Sequence, residues 1–159
     1  MDDKWTVYDY EVDMFKTTCE LCRSDYRIWH SRHVNNAIAE SLLLHTRILS
    51  DILLSRNNED LNLKKLLPDF SSPYLDELRS RYGDAKSEQS PCWTLNKMLA
   101  HSTSYRSDSF DYTPLFDEIK PAIYLVLEEV DNERKKRGEE QPPRYVRAMT
   151  SSNLSTSSS

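Results

Sequence analysis

The chain has 159 residues, 38% of them apolar and 30% charged, which suits one globular domain with a proper core rather than a disordered or membrane-spanning chain. Only two glycines occur, Gly83 and Gly138, and neither sits in a phosphate-cradling or dinucleotide-binding motif, so those chemistries are excluded and an all-α fold is favoured. The net charge of −5 is uneven: from Glu133 onward six basic residues face three acidic ones, and the −8 left on residues 1–132 makes a poor general surface for polyanions.

The start of the chain, Met1-Asp2-Asp3-Lys4-Trp5, lacks the basic-then-apolar pattern of a secretory leader, and no apolar run approaches the roughly 20 residues of a bilayer span. A cytoplasmic location and no membrane partner are expected. Tyr8, Val12, Phe15, Cys19, Cys22, Tyr26, Trp29 and His33 recur at alternating steps of four and three. That is one stripe of an α-helix and predicts a first helix from about Tyr8 to about Trp29. Asp9, Glu11, Asp13, Lys16, Glu20 and Arg23 fall between and are expected mostly in solvent.

A second helix is predicted from about Val34 to Leu54. Its stripe is Ile38, Leu42, His45, Leu49 and Ile52, widened by Ala37, Ser41, Leu44 and Ile48, and so broad a face suits the most buried helix. Asn36, Glu40, Arg47 and Asp51 lie opposite, with Arg47 and Asp51 at ion-pair spacing. Asn57-Asn58-Glu59-Asp60 then breaks the pattern. Ser72-Pro73, Ser90-Pro91 and Thr113-Pro114 each place a capping oxygen before a proline, which announces three more helices. The first is short and ends near Gly83 in an αL stop; the next runs to about Ser102. The last carries Phe116, Ile119, Ile123, Val126 and Val130 in phase through Pro121, which predicts one kinked helix. Arg134 to Arg137 form its basic end, where cations complement the helix dipole. Periodicity stops after Gly138. Residues 1–137 are therefore expected to form an antiparallel bundle of four to five helices, and the Ser/Pro-rich residues 138–159 a disordered tail.

Cys19-x-x-Cys22 followed by His30-x-x-His33 has the residue types of a tetrahedral zinc site. On a continuous helix, however, Cys22 and His30 lie about 12 Å apart along the axis, too far for one metal. No metal and no other cofactor are expected, and the cysteines are read as small apolar residues of the stripe. His45, centred on its own stripe, reads first as a satisfied core residue. His101 differs: it sits at the edge of the Cys92, Leu95 and Leu99 stripe near a helix end, where a histidine can titrate or meet a phosphate, with Arg106 just beyond.

Two segments, Asn36-Ala-Ile-Ala-Glu-Ser-Leu-Leu-Leu-His-Thr-Arg-Ile-Leu49 and Asn96-Lys-Met-Leu-Ala-His101 with Arg106 trailing, resemble an uncharacterised bacterial group of the HEPN superfamily. The helical order is similar across roughly residues 5 to 135. The resemblance implies a small helical domain, often a four-helix up-and-down core. In many members it also implies a metal-independent ribonuclease whose site forms between two protomers. The family's histidine would move a proton at the 2′-hydroxyl or leaving oxygen, and an arginine four to six residues earlier would stabilise the phosphate. The histidine falls on His101, but the arginine positions hold Asn96, Leu95 and Thr94, so the nuclease motif is incomplete. On this resemblance the candidate catalytic residues are His101, Arg106 and Asn96, with Glu40, His45 and Arg47 secondary. The expected function is that of a nucleic-acid-associated or defence-related accessory protein, not an enzyme, with a second copy and RNA as candidate partners. A ribonuclease using His101 and a helical interaction module without catalysis are the alternatives.

Overall fold

The computed structural model describes residues 5–22, 31–56, 61–100 and 113–139. Among them all regular structure is helical, without a strand. Six helices follow in order: α1 (Thr6–Leu21), α2 (Arg32–Leu53), α3 (Leu63–Leu66), α4 (Pro73–Tyr82), α5 (Pro91–Ala100) and α6 (Thr113–Lys136). None is long and apolar enough to cross a membrane.

The caps explain where these elements begin. Ser31 Oγ accepts from the Val34 amide and starts α2, and Asn62 Oδ1 accepts from the Lys65 amide and starts α3. Ser72 Oγ accepts from the Tyr74 amide at 3.1 Å, and Ser90 Oγ from the Trp93 amide at 3.2 Å, each with the proline that follows inside the helix. Helix α6 passes through Pro121 in one piece, as its unbroken apolar stripe requires. The single turn of α3 is not announced by the sequence, because one turn is too short to show a period. It nevertheless buries Leu63, Leu66 and Leu67.

Helix α1 packs on α2, α2 on α5, and α4 on both α5 and α6. The shared core includes Phe15, Leu49, Leu78, Leu95, Ile119 and Ile123, all fully buried. Three expectations about faces need correction. The α2 stripe is right, but it widens toward Ala39, Leu43, Thr46, Ser50 and Leu53, whereas Ala37 and Leu44 lie exposed on the side expected inside. Small hydroxyl residues can be buried on a helix because they bond their own backbone: Thr46 Oγ1 donates to the Leu42 carbonyl at 2.6 Å. In α1, Glu11 is buried instead of solvated. His33, in phase with α1, belongs to the first turn of α2 and is exposed.

The two ends of the described chain meet. Arg134 of α6 is 5% exposed and donates through both terminal nitrogens to Asp9 of α1, at 2.6 and 3.2 Å. Its guanidinium lies 4.0 Å from the centre of the Trp5 ring, and Trp5 Nε1 donates to Glu139 at 2.7 Å. Thus the basic end of α6 is more than a complement to the helix dipole, since its first arginine is an internal clamp.

Candidate functional site

Of the residues singled out by sequence, His45 has the most defined setting. Its Nδ1 lies 2.7 Å from Oε2 of Glu11, and both side chains are more than nine-tenths buried. One hydrogen bond thus joins the imidazole to the carboxyl group across the contact between α1 and α2. The Tyr10 ring, itself partly exposed, meets the imidazole edge-on at 5.9 Å between centroids. A buried acid needs a hydrogen-bonding partner, and the facing helix supplies one. The arrangement joins α1 to α2 and offers a substrate no open approach. Glu11 was legible: at 100° per residue it lies about 40° from Phe15, inside the α1 stripe.

A second polar cluster lies where α2, α4 and α5 converge. Arg56, just beyond α2, donates through Nη1 to Cys92 Sγ at 2.9 Å and through Nη2 to the Gly83 carbonyl. Its guanidinium sits 4.8 Å from the centre of the Tyr82 ring. Asn96, one turn beyond Cys92 on α5, directs Nδ2 at the same sulfur at 3.7 Å. Asp51, one turn before the end of α2, forms the expected pair with Arg47 at 3.9 Å. Burial raises the Asp51 carboxyl above its ordinary range, with Arg47 and then Arg56 pulling it back. The junction of α2 with α5 therefore carries Asn96, one of the sequence-derived candidates, together with Arg56 and Cys92, whereas Arg47 pairs with Asp51 on its own helix. Because α2 ends beside the start of α5, α5 runs back along α2 from that end.

Gly83 organises the entrance to α5. Its φ of +71° is the positive value expected, but its ψ of −158° is extended and not αL. This directs the chain toward Ser90, whose Oγ also donates to the Asp84 carbonyl at 2.7 Å.

Glu40 is exposed on α2, far along the helix from the Arg56 end. His101 and Arg106 lie outside the described residues, as do His30, the ends expected for the first and fourth predicted helices at Trp29 and Ser102, and the tail from residue 140. Cys19 is buried on α1, and Cys22, which caps the end of that helix, is half-buried. Burial pushes the Cys19 thiol up to about 11 and the neighbouring Tyr124 hydroxyl to about 12. Among the described residues, no group of three or more histidine, cysteine or acidic side chains is arranged to hold a metal ion.

Every described arginine is engaged within the chain. Arg79 pairs with Asp76, Arg81 with Glu77, and Arg137 with Glu133, at 2.8 Å in each case. Arg47, Arg56 and Arg134 have the partners given above, and Arg32 also has an interaction of its own. Glu133 is held below the ordinary carboxylate range, chiefly by its hydrogen bond from Arg137. No protein-family model, curated protein or solved structure matches this chain.

Proposed function

We propose that this chain is a HEPN-like helical accessory domain of the cytoplasm, an antiparallel bundle that acts by association with other macromolecules and not by cleaving RNA. The observation that carries the reading is the engagement of the described arginines. Arg134 is spent on Asp9 and Trp5, and Arg56 on Cys92, Gly83 and Tyr82. Phosphate recognition depends on cations that can turn to a ligand, and a body of net charge −8 adds no general attraction. The secondary candidates point the same way: His45 is enclosed with Glu11, and Arg47 faces Asp51. Self-association would draw on the exposed apolar side chains Val7 and Tyr10 of α1 and Val34 and Leu44 of α2.

One arrangement favours a ribonuclease as the second reading. Helix α5, which carries Asn96 and leads into His101, lies against the helix that carries Arg47. An RNA-cleavage assay without metal separates the two. Wild type and His101→Ala are expected to be equally inactive on structured and single-stranded RNA. Metal-independent cleavage by wild type that His101→Ala abolishes overturns the accessory reading.

A further inference from the structure

Two donors reach one sulfur, and a buried hydroxyl lies beside it. Cys92 is the second residue of α5, a helix whose start is capped by Ser90. Its Sγ receives Arg56 Nη1 at 2.9 Å and Asn96 Nδ2 at 3.7 Å. The Tyr82 side chain is fully buried, and its hydroxyl lies beside the Cys92 thiol without a well-formed hydrogen bond. Asp51, Cys92 and Arg56 lie close enough to that hydroxyl for their charges to act on it. Burial first, then Asp51 and Cys92, push its ionisation far above the ordinary tyrosine value, which keeps the hydroxyl protonated and a donor.

A purely structural thiol needs only apolar neighbours, as a buried cysteine commonly has. Here a guanidinium, an amide and a buried hydroxyl converge instead. Thiolate is the nucleophilic form of cysteine, and positive charge with a helix N-terminus is the setting that favours it. Cys92 is only 2% exposed, which limits its reactant to something close to water in size. That reactant must also leave behind an oxygen able to use the spare donors.

We propose that Cys92 is a hydroperoxide-reactive thiol, activated by Arg56 and Asn96, with Tyr82 as donor to the departing oxygen. The thiolate sulfur attacks one oxygen of hydrogen peroxide, an S–O bond forms, and the O–O bond breaks. Sulfur is oxidised to sulfenic acid, and the peroxide is reduced. The departing hydroxide accepts a hydrogen bond from Tyr82, takes a proton from solvent and leaves as water. Arg56 then gains a consequence beyond the sulfur. Its other nitrogen holds the Gly83 carbonyl, so oxidation of Cys92 acts directly on the joint between α2, α4 and α5.

The test treats the full-length protein with hydrogen peroxide at neutral pH and quenches it with catalase. It then unfolds the chain in dimedone and locates the adducts by peptide mass spectrometry. Cys92 is expected to carry the adduct about tenfold or more ahead of Cys19 and Cys22, and ahead of Cys92 in protein unfolded in urea before the peroxide step. A bulky maleimide should reverse the order and label Cys22 first. Arg56→Met and, separately, Tyr82→Phe should slow Cys92 oxidation about tenfold or more in folded protein. Native Cys92 that reacts no faster than in urea overturns the proposal on wild type alone, whether or not either variant folds. Unchanged oxidation rates in both folded variants overturn it as well.

Discussion

Replacing Gly83 by alanine tests whether the joint between α4 and α5 is as constrained as its geometry indicates. The backbone there has φ +71° and ψ −158°, a region closed to residues with a Cβ at a cost of about 1–3 kcal/mol. A Cβ would also meet the Ser90 Cβ at 2.7 Å, closer than such atoms approach. Ser90 cannot retreat without disturbing the cap of α5, itself worth about 1 kcal/mol. Together these give a loss of about 2–4 kcal/mol, a large share of the roughly 5–15 kcal/mol that stabilises a domain. At about 2–4 °C per kcal/mol for a chain of this length, the melting midpoint should fall by about 4–16 °C. Gly138→Ala is the control: φ is +68°, but nothing lies within 4 Å of the added atom, so only the left-handed penalty of about 1–2 kcal/mol applies. Thermal and urea unfolding followed by circular dichroism compare the two. A Gly83→Ala protein that melts no lower than Gly138→Ala refutes the reasoning.

The buried pair of Glu11 and His45 should respond asymmetrically. His45→Leu strands a buried carboxylate and should cost about 3 kcal/mol in urea unfolding, while the double change Glu11→Leu with His45→Leu should recover most of it. A double variant no more stable than the single one contradicts the pairing. Arg134→Met removes a clamp to both Asp9 and Trp5. It should destabilise the fold by about 2–3 kcal/mol, less than for a fully buried pair because Asp9 remains one-third exposed, and an unchanged urea midpoint counts against the clamp. Stability should also decline in alkali. The Cys19 thiol is raised from 9.0 to about 11 on folding, so the unfolded chain loses its proton first and the loss of stability begins near pH 9 and is complete by about pH 11. Tyr124, raised from 10.0 to about 12, extends the decline to about pH 12. Urea midpoints at successive pH values should show this slope, and Cys19→Ala should flatten its lower part.

The helical architecture was legible because its signals are local. Hydroxyl-proline pairs at Ser72 and Ser90 supply caps that work wherever the chain goes, and the α6 stripe runs through Pro121 without a change of phase. Faces were read less well, because hydropathy ranks a side chain without asking whether its polar atom can be satisfied by its own helix. Thr46 went inside for that reason, Ser50 went inside although its hydroxyl finds no partner, and Leu44 went out. Pairings between distant residues were not legible at all. Nothing local joins Arg134 to Asp9, or Arg56 to Cys92, since these partners meet only when separate helices are packed together. The same limit applied to the candidate site: Asn96 stood out singly, and only packing brings Arg56 to the sulfur that it shares with Asn96.

The latch between Trp5, Asp9, Arg134 and Glu139 has a mechanical and an architectural consequence. Both ends of the described fold leave from one side, so the domain presents a paired entry and exit, the arrangement that lets a unit be inserted into a surface loop of a host protein or circularly permuted with a short linker. Force applied to those ends would load the latch before any of the interior. The first event under tension would be separation of α1 from α6, while the helices around Leu78 and Leu95 stay folded behind it.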